Sequence, residues 1–201
     1  MDDGYIKYSC HRRAGTVAAT PELLVLNSAR SRLFDLGLVG IDASGIGYGN
    51  VSLRTNSQQF VVTASATGAT RELTMSQYCL VESYSLEQNE VWSMGSLDAS
   101  SESMTHGAVY ASNDAIQCVM HIHSRLLFDR LLQSGAASTQ SSIPYGTPAM
   151  ARAVADFAKR LTSLPGLLVM AGHDEGVIAC GDSVNSVLTL IECTYWKEQQ
   201  S

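Results

Sequence analysis

Two histidines separated by one residue lie inside an apolar segment, Val119-Met-His-Ile-His123. If this segment is a β-strand, the side chains of His121 and His123 point to the same face of the sheet, because side chains alternate with a period of two. Neutral imidazole is a common ligand of zinc and other divalent metals. The spacing therefore predicts either a pair of metal ligands or two histidines that only pack and hydrogen-bond within the protein.

A third histidine, His173, lies in a turn that follows another apolar segment. Three histidine ligands leave the fourth position around a tetrahedral metal open, which is typical of a catalytic site rather than a closed structural one. If His121, His123 and His173 converge, we expect them to hold a metal that acts as a Lewis acid. A metal that only stabilises the fold is the alternative.

Glu102 and His106 are four residues apart in a predicted helix, so they lie on the same face of it. A carboxylate in the first turn of a helix often does no more than complement the helix dipole. Near a metal, the Glu102 carboxylate could instead occupy the open ligand position, or transfer protons once substrate displaces it. His106 could orient Glu102 or act as an alternative ligand, but we interpret it as a hydrogen-bonded structural histidine.

A second group of residues, rich in glycine and hydroxyl groups, could bind an anion. Glycine lets backbone N–H groups approach an anion closely, and serine or threonine hydroxyls add donors without a formal charge. Each pair alone is more typical of a turn, and the glycine-rich run 45–49 matches neither the dinucleotide fingerprint nor the P-loop. The residues predict a phosphate site only if they converge. They are Gly49, Asn50, Thr67, Gly68, Ser100 and Ser101.

The elements that would position these side chains are a mixture of helices and strands. We predict helices that begin after Thr20, at Ser100 or Ser101, after Ser124, after Thr147 and at Asp182. We predict strands over 50–54, 60–64, 79–83, 90–93, 115–123, 167–170 and 177–180. The link between the predicted strands 167–170 and 177–180 is too short for a parallel crossover, so the sheet must be at least partly antiparallel.

The length, composition and charge of the chain exclude several classes of function. The chain has 201 residues, of which 45% are hydrophobic, and this is enough for one α/β domain with a substantial core. Its net charge of −6 argues against a nucleic acid partner. No apolar run reaches the roughly 18 residues of a membrane span, and no signal peptide is recognised, so we expect a cytoplasmic protein. Five widely spaced cysteines without a CxxC pair predict reduced thiols.

Taken together, the motifs resemble those of the class II aldolase/adducin family, over about residues 20–195. The resemblance implies a three-layer α/β/α sandwich around a mostly antiparallel central sheet, formed by a single domain over residues 1–201. It also implies a homotetramer with active sites at the subunit interfaces. The matching segments, in the family's order, are Gly49-Asn-Val-Ser52, Thr67-Gly68, Ser100-Ser-Glu102, His121-Ile-His123 and Gly172-His173.

The resemblance further implies a role for each matching residue. The three histidines would bind a divalent metal, with zinc expected first and manganese or iron as alternatives. Glu102 would be the acid/base, and the glycine and hydroxyl residues would bind the substrate and its phosphate. The implied reaction is retro-aldol cleavage of a small hydroxylated sugar or sugar acid, phosphorylated or not, through a metal-stabilised enediolate.

Two alternatives to this lyase remain open. Relatives with the same fold and site carry out epimerisation, dehydration or decarboxylation, and the sequence does not separate these reactions. The adducin head has the same fold without the chemistry, and it is a non-catalytic binding or assembly module. Such a module is expected to lack the ligand set, whereas Glu102 and all three histidines are present here.

The chain also departs from the family's pattern. Many members have glycine directly after the late histidine, whereas Asp174 and Glu175 stand there in this sequence. These acidic side chains either face solvent or hydrogen-bond a ligand of the metal, and near the pocket they would repel a phosphorylated substrate. Aldolases of the family often take a proton-donating tyrosine from a neighbouring subunit, and Tyr110 and Tyr145 are the candidates here.

Overall fold

The structure, a computed structural model, describes residues 5–200. Within this range the chain forms ten strands and five α-helices, with a short 3₁₀-helix over Met75–Gln77. In chain order the elements are β1 (Ser9–Arg13), α1 (Pro21–Asp35), β2 (Gly40–Ile41), β3 (Gly47–Tyr48), β4 (Asn50–Arg54), β5 (Phe60–Thr63), β6 (Tyr78–Ser85), β7 (Glu90–Met94), α2 (Ser103–Ser112), β8 (Cys118–His123), α3 (Arg125–Gln133), α4 (Pro148–Arg160), β9 (Gly166–Val169), β10 (Gly176–Gly181) and α5 (Val184–Gln199).

Eight of the strands form one sheet in the order β1-β7-β6-β5-β4-β8-β10-β9, and β2 pairs with β3 separately. Every neighbouring pair in the large sheet is antiparallel except β1 and β7. The prediction of a mostly antiparallel central sheet is therefore confirmed. β8 lies between β4 and β10, so both of its edges are hydrogen-bonded and its position is fixed on both sides.

Hydrophobic residues pack on both faces of the sheet, which gives the predicted three layers. One core contains Met104 of α2 and Val154 of α4, and the other contains Leu26 of α1 and Ile191 of α5. β8 contributes to both, because its side chains alternate between the two faces. Met120 and Ile122 pack in the core beside α1 and α5, whereas Val119 packs in the core beside α2 and α4. The alternation places His121 and His123 on the side of α2 and α4.

Several helices begin at the residues that the sequence indicates. The hydroxyl of Thr20 accepts a hydrogen bond from the backbone N–H of Leu23, and Pro21 is the first residue of α1. Ser124 and Thr147 cap α3 and α4 in the same way. Such side chains satisfy backbone N–H groups that the helix itself leaves without an acceptor, so these helix starts could be predicted from local sequence.

The prediction that Ser100 or Ser101 caps α2 is wrong. The backbone carbonyl of Ser100 accepts hydrogen bonds from the N–H and the hydroxyl of Ser103, which forms a turn ahead of the helix. The helix begins at Ser103, and Glu102 occupies the capping position, but its carboxylate accepts no hydrogen bond from a backbone N–H of the helix. Two other boundaries shift, since Ser183 rather than Asp182 caps α5 and β8 begins three residues later than predicted.

Two further observations bear on the sequence predictions. All five cysteines are free thiols in the structure, as expected. Within residues 5–200, none of the helices combines the length and the apolar character that crossing a membrane requires.

Candidate metal centre and anion cavity

The three histidines singled out from the sequence converge on one point. β8 supplies His121 and His123, and His173 lies in the turn that joins β9 to β10. Pairing of β10 with β8 sets Gly176 opposite His123 and so brings the turn next to the two strand histidines. One ring nitrogen from each histidine lies within 4.8 Å of the other two, and all three side chains are buried. This geometry could hold one metal ion.

The chemistry of the cluster also fits a metal ion. Nε2 of His121 is buried and has no hydrogen-bond partner among the described residues. Burial lowers the pKa of His121 well below its ordinary value, and the neighbouring His173 and His123 lower it further, so the ring is neutral and has a lone pair to donate. A Cβ atom at Gly176 would lie 3.2 Å from this Nε2. Glycine therefore leaves room beside the nitrogen.

Glu102 lines the same cleft as the three histidines. Its side chain is only 2% exposed, and Oε2 accepts a hydrogen bond of 2.8 Å from the hydroxyl of Thr105. Oε1 is buried and has no partner among the described residues. The cleft has a volume of about 20 Å³, which is enough for a single water molecule or ion. A carboxylate oxygen is thus available beside the candidate metal position.

His106 lies outside the histidine cluster, although it is one helical turn from Glu102. Its Nδ1 is 2.6 Å from the hydroxyl of Ser52, which in turn lies 2.7 Å from the hydroxyl of Tyr110. Complete burial lowers the pKa of His106 to about 3, so the ring is neutral. The structure places His106 in a buried hydrogen-bonded chain, which is the arrangement expected of a structural histidine.

Asp174 and Glu175 lie on the surface beside the histidine turn. Both carboxylates form ion pairs with Arg125, at 2.5 Å and 3.3 Å respectively, and each side chain is about half exposed. Neither residue belongs to the histidine cluster. The arginine offsets part of their negative charge, although it also pairs with Asp129, so repulsion of a phosphorylated substrate by these two residues is reduced but not removed.

The two candidate tyrosines lie in different environments. The ring of Tyr145 stacks on His173 with 4.3 Å between the ring centroids, and it lines the metal cleft from within the same chain. The ammonium group of Lys7 lies 3.4 Å from the centre of the Tyr145 ring. Tyr110 is buried in the core against Phe60 and does not line the cleft. Of these two candidates, Tyr145 is therefore the one positioned near the candidate metal.

All six residues predicted to bind an anion line one cavity of about 290 Å³. Gly49, Asn50 and Ser101 also line the metal cleft, so the two sites are adjacent. Within the part of the chain that the structure describes, no charged side chain lines this cavity. Its polar surface consists of backbone groups, hydroxyls and one amide. The six residues are Gly49, Asn50, Thr67, Gly68, Ser100 and Ser101.

Close backbone packing around the cavity depends on glycine. A Cβ atom at Gly68 would lie 2.1 Å from the carbonyl oxygen of Gly40 and 2.9 Å from the Cα of Gly47, which are impossible contacts for any other residue. Gly49 has a φ of +73°, a conformation that side chains with a Cβ rarely adopt. These glycines let three backbone segments meet at the cavity wall.

A sequence model of the Class II Aldolase and Adducin N-terminal domain matches residues 38–196, most of the chain. The chain belongs to the class II aldolase and adducin family.

Solved structures of this family have the same fold at low sequence identity. L-Fuculose-1-phosphate aldolase from Thermus thermophilus is 20% identical, with 88% of this chain and 90% of that chain covered and a TM-score of 0.62. YgbL from Klebsiella pneumoniae, provisionally described as an aldolase/epimerase/decarboxylase, is 19% identical, with 90% of each chain covered and a TM-score of 0.64. A sugar-phosphate aldolase from Thermotoga maritima is 15% identical, with 88% and 93% covered and a TM-score of 0.66. No curated protein matches the chain in sequence.

This class II aldolase family member has site residues that the sequence motifs do not reveal. Tyr5 lines the anion cavity, and Lys7 lies over Tyr145 at the metal cleft. Both residues precede the part of the chain that matches the family model. Tyr48 is a third example, since its ring centroid lies 5.4 Å from that of His123. No motif predicts a role for these residues. Only the packing of the chain brings Tyr5 and Lys7 to the site, whereas Tyr48 adjoins Gly49 in the glycine-rich run 45–49.

Proposed function

We propose that the protein is a metal-dependent lyase that cleaves a small hydroxylated sugar or sugar acid by a retro-aldol reaction. The observation that carries this proposal is the convergence of three buried histidines with the unpartnered Oε1 of Glu102 in one cleft. A binding module needs neither a buried carboxylate with an open oxygen nor three buried imidazoles around one point. The adjoining anion cavity supports a phosphorylated substrate.

In this proposal His121, His123 and His173 would hold a divalent ion, with zinc the first candidate because it suits three imidazole ligands. When bound, the metal supplies Lewis acidity toward a substrate carbonyl and an adjacent hydroxyl. Oε1 of Glu102 holds or accepts the proton that moves during bond cleavage. The hydrogen bond from Thr105 fixes the carboxylate by Oε2, and Oε1 has no partner among the described residues, so it remains available for proton transfer.

The anion cavity would orient the substrate. Its hydroxyls and backbone N–H groups can surround a phosphate, and its connection to the metal cleft through Asn50 and Ser101 sets the phosphate near the reacting carbons. The similarity to fuculose-phosphate and sugar-phosphate aldolases supports a ketose phosphate as the first substrate class to test.

We also propose that the protein assembles as a homotetramer, which sedimentation analysis would test.

The experiment is a substrate screen with zinc-loaded protein, using ketose 1-phosphates, the unphosphorylated sugars and sugar acids. We expect two carbonyl fragments as products. Glu102→Gln should keep the metal and lower turnover by about a thousandfold, because the proton acceptor is lost. Glu87→Gln, at an exposed carboxylate, is the matched control and should retain full turnover. Epimers or carbon dioxide as products, or full activity in Glu102→Gln, would contradict the proposal.

A further inference from the structure

Arg30 is a buried cation with an unusual set of partners. Its side chain lies on α1, and the residue is only 3% exposed. One guanidinium nitrogen, Nη1, donates to the carbonyl oxygens of Thr70 and Arg71 at 2.5 Å and 2.8 Å, and Nη2 donates to the carbonyl of Thr67 at 3.1 Å. Within residues 5–200, no carboxylate forms an ion pair with it. A buried charge without a counter-ion is costly unless something offsets it.

The segment that Arg30 holds is a wall of the anion cavity. Thr67 and Gly68 both line the cavity, and both belong to the predicted phosphate-binding set. The carbonyl of Thr67 and the N–H of Gly68 belong to one planar trans peptide, so they point in opposite directions. Arg30 binds the carbonyl end of this peptide. The N–H end therefore points away from the guanidinium and is polarised by it, which makes it a stronger donor to an anion.

Helix α1 fixes the same segment at two more positions. The side chain of Asn27 donates to the carbonyl of Leu73 at 2.8 Å, and the hydroxyl of Ser31 donates to the carbonyl of Arg71 at 3.1 Å. These two residues are neutral, and like Arg30 they are buried. They hold segment 67–73 in place, whereas Arg30 adds a positive charge behind it.

The positive charge of Arg30 matters because no charged side chain lines the cavity in the described part of the chain. All of its described lining side chains are neutral, and the chain as a whole has a net charge of −6. A phosphate dianion that enters such a cavity needs a nearby positive charge to offset its lost hydration. Arg30, one peptide unit behind the wall, is a buried cation available for this purpose.

We propose that Arg30 is the positioning residue that gives the anion cavity its affinity for a phosphate dianion, acting through the Thr67–Gly68 peptide. This inference rests on the anion cavity of the proposed function, but not on the lyase reaction. Arg30 precedes residue 38, where the match to the family model begins, so the domain match does not include it.

The test is calorimetric titration of the full-length, zinc-loaded protein with inorganic phosphate. Arg30→Gln should weaken phosphate binding about tenfold, because a charge-assisted interaction is lost. Ser31→Ala removes a neutral hydrogen bond to the same segment, so it is the matched control and should change binding less than about twofold. The metal content of each variant is measured in parallel and should equal that of the wild type. A failure of the lyase reaction leaves these expectations unchanged.

Three results would overturn the inference: no phosphate binding by the wild type, unchanged binding in Arg30→Gln, or equal losses in Arg30→Gln and Ser31→Ala. Thermal unfolding shows whether Arg30→Gln is folded. If it is not, Arg30→Lys decides, since lysine keeps the charge but cannot reach all three carbonyls. We expect Arg30→Lys to bind phosphate within about threefold of the wild type, and a loss of about tenfold or more would overturn the role of charge.

Discussion

The side-chain amide nitrogen of Asn50 lies 3.4 Å from Nδ1 of His121, whose Nε2 has no hydrogen-bond partner among the described residues. For Nε2 to bind a metal, Nδ1 must carry the ring proton, and it then needs an acceptor. Oδ1 of Asn50 is also buried without a partner in the described chain. A half-turn of the amide would place Oδ1 against the Nδ1–H group, so Asn50 can fix the ring form that binds metal.

Asn50→Ala should therefore weaken zinc binding by about tenfold to a hundredfold, the usual effect of losing a partner that orients a metal ligand. Competition with a chromogenic chelator measures the affinity directly, without any assay of turnover. Asn185→Ala, at an exposed position of α5, is the control and should bind zinc like the wild type. Equal zinc affinity in Asn50→Ala and the wild type would show that Asn50 does not orient His121.

The two tyrosine candidates should respond in opposite ways to loss of the hydroxyl group. Tyr145→Phe keeps the ring that stacks on His173, so we expect normal metal content but turnover lower by about a hundredfold if this hydroxyl transfers a proton. Tyr110→Phe loses the hydrogen bond with Ser52 and should unfold about 1 kcal/mol more easily, with turnover unchanged. Full turnover in Tyr145→Phe would exclude that hydroxyl as the proton donor.

Stability should fall in mildly acidic solution because His106 is buried in the neutral form. Its pKa is lowered from 6.5 to about 3 by burial, so between these values the unfolded chain binds a proton that the folded chain does not. The contribution of His106 is complete above pH 6.5 and is lost by about 1.4 kcal/mol per pH unit as the pH falls through this window.

Urea unfolding of the wild type and His106→Gln at pH 7.5, 6.0 and 5.0 measures this effect. Glutamine can still hydrogen-bond Ser52 but does not titrate, so the variant should lose about 2 kcal/mol less stability than the wild type between pH 7.5 and 5.0. The difference between the two proteins isolates His106 from the other buried histidines. Parallel losses of stability in both would mean that His106 does not titrate differently on unfolding.

Local sequence patterns predict much of the large sheet and the helices. The alternation in β8 and the capping residues of α1, α3 and α4 depend only on neighbouring residues, so these elements could be predicted. β1 could not, because its side chains are almost all exposed and show no alternation of apolar residues. It forms only by pairing in parallel with β7, a contact between residues far apart in sequence.

The residues of the candidate site likewise divide into those that sequence motifs predict and those that only the tertiary fold brings together. The predicted histidines meet, and the six predicted anion-binding residues line one cavity; all of them occur in recognisable motifs within the part of the chain that matches the family model. Lys7 and Arg30 belong to no motif, and they reach the site through the packing of β1 and α1. The placement of Asp174 and Glu175 at the surface was likewise undetermined by sequence, since it depends on Arg125 of α3.

The proposed function depends most on the binding of a metal by the histidine cluster. The direct measurement is metal content per chain, by plasma mass spectrometry, for untagged wild type, His123→Ala and the exposed control His11→Ala. We predict about one equivalent of metal in the wild type and in His11→Ala, and none in a folded His123→Ala. No metal in the wild type after zinc, manganese and iron are offered, or an undiminished metal content in His123→Ala, would contradict a metal-dependent function.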